Sequence, residues 1–137
     1  MNTLLETQLK RAKAAARLLK NMPTCTKNQA LDKIADALIA HSDEILEANK
    51  KDMAHAKEVN MTKAMQDRLL FTHERIVGVS EGVKKVATLP DPIGEVMESW
   101  TRPNGLKISK VRVPIGVFGI IYEARPNVTV DIASLCL

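Results

Sequence analysis

The sequence predicts an α/β protein in which a run of helices comes first, a β-hairpin follows and a parallel strand comes last. In residues 1–92, apolar residues recur at the three- and four-residue spacing of helices. An Asn-Gly pair at 104–105 separates two runs of alternating character, a strong hairpin signal. Residues 115–122 are almost continuously apolar, which is typical of a strand buried on both faces of a parallel sheet.

The helices are predicted from their apolar stripes and their capping residues. The first is expected over residues 2–21, with the stripe Leu5, Leu9, Ala12, Ala16 and Leu19. Thr26 is expected to cap the second helix, Ser42 to start the third and Thr72 to cap the last, with a short helix near 62–70 between them. Asn49 falls in the inner stripe of the third helix, so we expect its amide to have hydrogen-bond partners.

The hairpin is predicted after Leu89-Pro90-Asp91-Pro92, which ends the helical part. Residues 93–101 and 105–113 flank its turn, and the second arm alternates apolar with basic or hydroxyl residues. A two-stranded ribbon is marginally stable alone. We therefore expect residues 93–113 to form an arm that contacts another subunit.

The last segment, 114–137, is predicted to hold the buried strand, a polar loop over 123–127 and the start of a helix. Ligands of open α/β sheets bind beyond the carboxyl ends of the strands, where this loop would lie. One parallel strand cannot form a sheet by itself. We therefore expect 1–92, 93–113 and 114–137 to be the helical part, the arm and an incomplete sheet of one larger domain.

Composition and charge exclude several classes of function. Aromatic residues make up 3% of the chain, too few for the stacking platforms of single-stranded nucleic-acid binding. The net charge of +4 resides in residues 1–20, and the remainder is neutral. We interpret this basicity as the solvated face of one helix. Contact of that helix with a nucleic acid or a membrane is the alternative.

The cysteines and the N-terminus indicate a cytoplasmic protein with reduced thiols. Cys25 and Cys136 are far apart, with no CxxC spacing or histidine cluster, so we expect no metal site. Leu alternates with Lys and Arg near the N-terminus, unlike a signal peptide, although a mitochondrial transit peptide is a weaker alternative. The longest apolar run, 113–122, is too short to span a bilayer, so we expect no membrane contact.

Residues 113–131, with the sequence VPIGVFGIIYEARPNVTVD, closely resemble one family. That family is γ-glutamyl phosphate reductase, also called glutamate-5-semialdehyde dehydrogenase, of the aldehyde dehydrogenase superfamily. The Pro-x-Gly-Val-x-Gly core is common to the superfamily, whereas IYEARPNV is more specific. The resemblance extends over essentially the whole chain, through the segments 48–52, 67–70, 89–94, 102–106 and 135–137.

The resemblance implies NADPH-dependent reduction of L-glutamyl 5-phosphate to L-glutamate 5-semialdehyde with release of phosphate, in proline biosynthesis. It also implies a Rossmann-like cofactor domain, of which this chain is the N-terminal part. In the family a cysteine thiolate attacks the acyl phosphate. That cysteine is expected downstream of Leu137, so we expect the chain alone to lack activity. The implied partners are the substrate, a second copy bound through 93–113 and glutamate 5-kinase.

The resemblance also suggests roles for the loop that follows the strand. In the superfamily this loop supplies an oxyanion donor from a Trp-Asn pair, whereas this chain has Glu-Ala-Arg-Pro-Asn. Asn127 is therefore the candidate donor and Arg125 the candidate ligand of the substrate's carboxylate or phosphate. Alternatively, Arg125 pairs with Glu123 or caps a neighbouring element. Glu123 and Tyr122 are weaker candidates for substrate contact.

The glycines and cysteines do not predict a further site. Gly116 and Gly119 lack the spacing of a dinucleotide fingerprint, so the cofactor-binding residues stay unassigned. Cys25 lies in a linker and Cys136 on an apolar helix, without the neighbours that activate a thiol. Two alternatives stay open: a small helical interaction module or decayed gene product without activity, and another acylating aldehyde dehydrogenase, which the 123–127 loop argues against.

Overall fold

The computed structural model describes residues 3–137, in which six helices and one two-stranded sheet occur. The chain divides into two compact units: residues 23–89 with 119–137, and residues 3–22 with 90–118. We call them the helical unit and the hairpin unit. In chain order the elements are α1 (Thr3–Leu19), α2 (Thr24–Ala40), α3 (Ser42–Glu58), α4 (Lys63–Leu69), α5 (His73–Ala87), β1 (Val96–Thr101), β2 (Lys107–Val111) and α6 (Pro126–Cys136).

The core of the helical unit lies where α2, α5 and α6 pack together. Leu31 and Ala35 of α2 contact Val83 of α5, and side chains of α6 pack against this cluster. The buried Ser80 hydroxyl of α5 donates a 3.0 Å hydrogen bond to the Ala35 carbonyl of α2. The apolar stripes predicted for α2 and α5 therefore form the core.

Asn49 confirms the expectation that a polar residue in an apolar stripe has partners. Its side chain lies on α3 and is only 5% exposed. The amide nitrogen donates to the Leu69 carbonyl at 2.9 Å, and the amide oxygen accepts the Phe71 N–H at 2.8 Å. Asn49 thus satisfies the backbone where α4 ends, which fixes the link between α4 and α5.

The capping prediction holds for α5 and fails for α2. The Thr72 hydroxyl accepts the Arg75 N–H at the start of α5. The Thr62 hydroxyl caps α4 in the same way, which was not predicted. Thr26 does not cap α2, which begins earlier with Pro23 as its N-cap. The Pro23 carbonyl accepts the N–H groups of Thr26 and Lys27, so Thr26 lies inside the first turn. α3 begins at Ser42, as predicted.

The predicted hairpin is confirmed, with an antiparallel register that pairs Thr101 with Lys107. A bulge lies between Val96 and Glu98 on β1. The turn is closed by the Gly105 N–H, which donates to the Arg102 carbonyl at 2.8 Å. Gly105 has a φ of 84°, whereas Asn104 is not in the left-handed region. The turn therefore has Pro103 in its second position and a left-handed glycine after it, unlike the two-residue Asn-Gly turn.

The hairpin unit contains no buried residue among those described. α1 runs from Thr3 to Leu19 and so ends two residues before the predicted end at 21; residue 2 lies outside the described residues. Two stripe residues of α1, Leu5 and Leu9, are more than half exposed. On the hairpin, Glu95 and Arg112 form an exposed ion pair of 2.7 Å.

The strand predicted over 115–122 is not formed. These residues have no regular secondary structure, and the two strands found in residues 3–137 both belong to the hairpin. Ile115 is 84% exposed and the Ile121 side chain is fully exposed, where burial was expected. A parallel strand needs a neighbour to receive its backbone hydrogen bonds, and no described segment supplies one. None of the described helices is both long and apolar enough to cross a membrane.

Candidate functional site

The start of α6 brings the predicted site residues 125 and 127 to one end of a helix. Arg125 is the N-cap and Pro126 the first helical residue, a position where proline's missing N–H is not needed. The preceding Ala124 has a φ of 46°, a left-handed conformation unusual for a residue with a Cβ. A tight backbone turn therefore precedes α6.

Asn127 is half-buried and has a fixed side-chain orientation. Its amide nitrogen donates a 2.8 Å hydrogen bond to a carboxylate oxygen of Asp131, one turn further along α6. Because an amide nitrogen carries two hydrogens, this bond leaves one N–H of Asn127 for another acceptor. Asp131 was not predicted as a site residue, although four-residue spacing on a helix would have indicated the pair.

The alternatives considered for Arg125 are not seen among the described residues. Its guanidinium is exposed and forms no ion pair with Glu123, and it makes no side-chain capping bond to α6. The Tyr122 hydroxyl hydrogen-bonds to the hydroxyl of Thr129 on α6. Tyr122 therefore ties the loop to the helix, and Arg125 keeps its hydrogen-bond donors available.

A cleft of about 490 Å³ lies in the helical unit between α4, α5 and the start of α6. Both predicted residues, Arg125 and Asn127, line it. The other charged side chains of its wall come from segments far apart in sequence: Asp67, Arg68, Arg75 and Asp131. The cleft therefore contains three guanidinium groups and two carboxylates.

Arg75 has a structural role in this wall. Its guanidinium donates to the carbonyls of Asp67 and Leu70, both at 2.6 Å, and lies 3.1 Å from the Asp67 carboxylate. A cation in the first turn of α5 is opposed by the helix dipole, which the Asp67 carboxylate and the two carbonyls offset. Arg75 thus holds the end of α4 against the start of α5.

Arg68 makes no ion pair or side-chain hydrogen bond with any of the described residues. It was not singled out from the sequence, because only the packing of α4 near α6 brings it to the cleft. The two cysteines do not line the cleft, and both are exposed free thiols.

No family model matches the chain. Among curated proteins, it is 54% identical over its whole length to the γ-glutamyl phosphate reductase of Geobacillus sp. (strain WCH70), of which it covers 33%. It is 56% identical over 92% of its length to the protein of that name from Clostridium novyi (strain NT), of which it covers 30%. The chain therefore spans about one third of the length of these relatives.

Two solved structures are similar to the chain. The γ-glutamyl phosphate reductase of Thermotoga maritima matches 96% of the chain with a TM-score of 0.93 and 44% identity, over 32% of its own chain. The protein of that name from Saccharomyces cerevisiae matches 92% of the chain with a TM-score of 0.86 and 38% identity, also over 32% of its own chain. In sequence and in fold, this chain is similar to the matching third of these γ-glutamyl phosphate reductases.

Proposed function

We propose that the chain contributes one wall of the active site of an enzyme that reduces L-glutamyl 5-phosphate with NADPH. The products are L-glutamate 5-semialdehyde and phosphate, and the reaction belongs to proline biosynthesis. The observation that carries this proposal is the 54% identity, over all 137 residues, to the γ-glutamyl phosphate reductase of Geobacillus sp. (strain WCH70). The position of Asn127 and Arg125 in one cleft supports it.

Asn127 is the proposed donor to the oxyanion that develops when a thiolate attacks the acyl phosphate. In that step a sulfur–carbon bond forms, and phosphate then leaves with the electrons of its bond to carbon. One N–H of Asn127 is bound to Asp131, and the other can donate to the oxygen on which charge accumulates. Asp131 acts as a positioning residue because it fixes which way the amide points.

Arg125 is the proposed ligand of an anionic group of the substrate. Its guanidinium is exposed, has no ion-pair partner among residues 3–137 and lines the same cleft as Asn127. A guanidinium binds a phosphate or a carboxylate through two parallel hydrogen bonds. Arg125 precedes Asn127 by two residues, so the group it binds lies near the reacting carbon.

No cofactor-binding residue is assigned in the part of the chain that the structure describes. NADPH would supply the hydride that reduces the acyl group, and Gly116 and Gly119 lack the spacing of a dinucleotide fingerprint. Cys25 and Cys136 lie away from the cleft, so the nucleophile is assigned to neither.

The proposal is tested with a chimera in which this chain replaces the matching third of the Geobacillus relative. We expect the chimera to consume NADPH with L-glutamyl 5-phosphate and the 137-residue chain alone to give no turnover. Asn127→Ala in the chimera should lower kcat by about 100- to 1,000-fold, the usual effect of losing one oxyanion donor. Turnover by the chain alone, or an unchanged kcat for Asn127→Ala, would contradict the proposal.

Asp131 offers a matched pair of variants for its positioning role. Asp131→Asn keeps an acceptor for the Asn127 amide, whereas Asp131→Ala removes it. We expect Asp131→Ala to lower kcat and Asp131→Asn to retain most of it, with KM little changed in both. Equal losses in the two variants would assign the effect to the charge of Asp131 instead of to its hydrogen bond.

Residues 93–113 are the proposed oligomerisation arm of the enzyme. Val96, Met97, Leu106 and Val111 are each at least 44% exposed on this ribbon, an apolar surface that a second subunit would cover. The same exposure favours the alternative of an interaction module. An active chimera that sediments as a dimer or larger would support the enzyme, whereas an inactive, partner-bound chimera would support the module. Contact with glutamate 5-kinase and a cytoplasmic location stay predictions.

A further inference from the structure

The cleft of the helical unit contains one guanidinium beyond those already assigned. Arg75 is bound to two carbonyls and to the carboxylate of Asp67, and the carboxylate of Asp131 accepts the Asn127 amide. Arg125 and Arg68 remain without such partners among the described residues, and they come from two different elements, the start of α6 and α4. The cleft therefore offers two separate cationic groups.

Two glycines on α5 add no side chain to the wall of this cleft. Gly78 and Gly82 are four residues apart, both line the cleft, and a Cβ at either would meet no protein atom within 4 Å. Glycine inside a helix destabilises it by about 1 kcal/mol relative to alanine. The packing of this chain does not require glycine at either position, so both positions leave room for a molecule that lies along α5.

We propose that Arg68 is a substrate-binding residue that binds the α-carboxylate of the substrate while Arg125 binds its phosphate. This inference rests on the proposed function, because that substrate carries an anionic group at each end. Arg125 is two residues from Asn127, so it lies near the reacting carbon, to which the phosphate is attached. Arg68, on α4, then binds the α-carboxylate at the other end of the substrate. The carbon chain of the substrate lies along Gly78 and Gly82.

The reverse reaction separates the two groups, because phosphate and L-glutamate 5-semialdehyde are then independent substrates. In the chimera, with NADPH formation followed, Arg68→Gln should raise KM for the semialdehyde at least tenfold and leave KM for phosphate within twofold. Arg125→Gln should show the opposite pattern. These changes correspond to the loss of one hydrogen-bonded charge pair. Arg11→Gln on α1 is the matched control, because Arg11 is exposed and does not line the cleft, and it should change neither KM.

Two further variants exclude a merely structural effect. Arg68→Lys should recover part of the affinity for the semialdehyde, because it keeps the charge and loses the paired geometry. Gly82→Ala should raise the same KM although alanine stabilises the helix, so weaker binding would accompany a higher melting temperature. If Arg68→Gln matches Arg11→Gln, the inference is wrong. If it raises KM for phosphate alone, the assignment of the two ends is wrong.

A binding measurement on the 137-residue chain keeps this test independent of activity. With ¹⁵N-labelled chain and L-glutamate as the probe, the amide signals of Gly78 and Gly82 should shift, and Arg68→Gln should abolish the shift. Absence of any shift in the unaltered chain would overturn the inference. If the unaltered chimera is inactive but the 137-residue chain still shows the Arg68-dependent shift, the proposed function is wrong and the anion site remains.

Discussion

The helical unit and the hairpin unit differ in where they place their apolar side chains. Every buried residue found in the described chain belongs to the helical unit, including Leu31, Ala35, Ile76 and Val83. In the hairpin unit, the apolar side chains of α1 and both strands are exposed or at most half-buried. The helical unit is therefore held mainly by burial, whereas the hairpin unit depends more on backbone hydrogen bonds and turn chemistry. The difference indicates that only the helical unit carries its own core.

The largest difference in stability between the two units is expected from a cavity in the core of the helical unit. Ile76 on α5 is fully buried, so Ile76→Ala should lower the free energy of unfolding by about 2–5 kcal/mol, through lost apolar burial and the cavity left behind. Leu106→Ala is the control, because Leu106 is 57% exposed on the hairpin and should change stability by less than about 0.5 kcal/mol. Urea unfolding followed by circular dichroism measures both. Equal effects would contradict the comparison.

The next largest effect is expected from the polar group inside the helical unit. Asn49→Ala leaves the Leu69 carbonyl and the buried Phe71 N–H without their partner, which should cost about 1–3 kcal/mol. In the hairpin unit, the hydroxyls of Ser99 and Ser109 are 2.8 Å apart but exposed, so water replaces that bond in Ser99→Ala. The same unfolding experiment should give less than about 0.5 kcal/mol for Ser99→Ala. A larger loss in the free energy of unfolding for Ser99→Ala than for Asn49→Ala would contradict the difference between the two units.

Local features of the fold were predictable from sequence, and non-local ones were not. The Thr72 cap and the hairpin turn depend on a few neighbouring residues, and both were correctly placed. Asn49 was predictable because its position in an apolar stripe required a partner. The prediction of a strand over 115–122 was wrong for this chain. An apolar run shows that a segment can be buried, but it does not show that a pairing segment lies beside it.

The candidate site shows the same division. Arg125 and Asn127 were found through a family motif, and the structure places both on one cleft. Arg68 could not be found, because it reaches that cleft only through the packing of α4, α5 and α6. Arg75 gave a weak signal, a cation at the unfavourable end of a helix, and Asp131 gave another through its spacing from Asn127.

The smallest effect is expected from Gly105, in the turn of the hairpin unit. Gly105 closes the turn with a φ of 84°, a conformation that costs residues with a Cβ about 1–2 kcal/mol. Trp100 is the single tryptophan of the chain and lies on β1 opposite Ile108, so its fluorescence reports the hairpin, whereas circular dichroism reports mainly the helices. Gly105→Ala should shift the fluorescence transition to lower urea and leave the helical transition unchanged.

Gly119→Ala is the control for that measurement, because Gly119 has no left-handed φ and a Cβ there meets no atom within 4 Å. It should move neither transition. If Gly105→Ala shifts both signals together, the two units unfold as one cooperative structure, and the hairpin draws stability from the helical core after all. If only the Trp100 signal moves, the turn acts locally, as expected of a ribbon held by its own backbone hydrogen bonds.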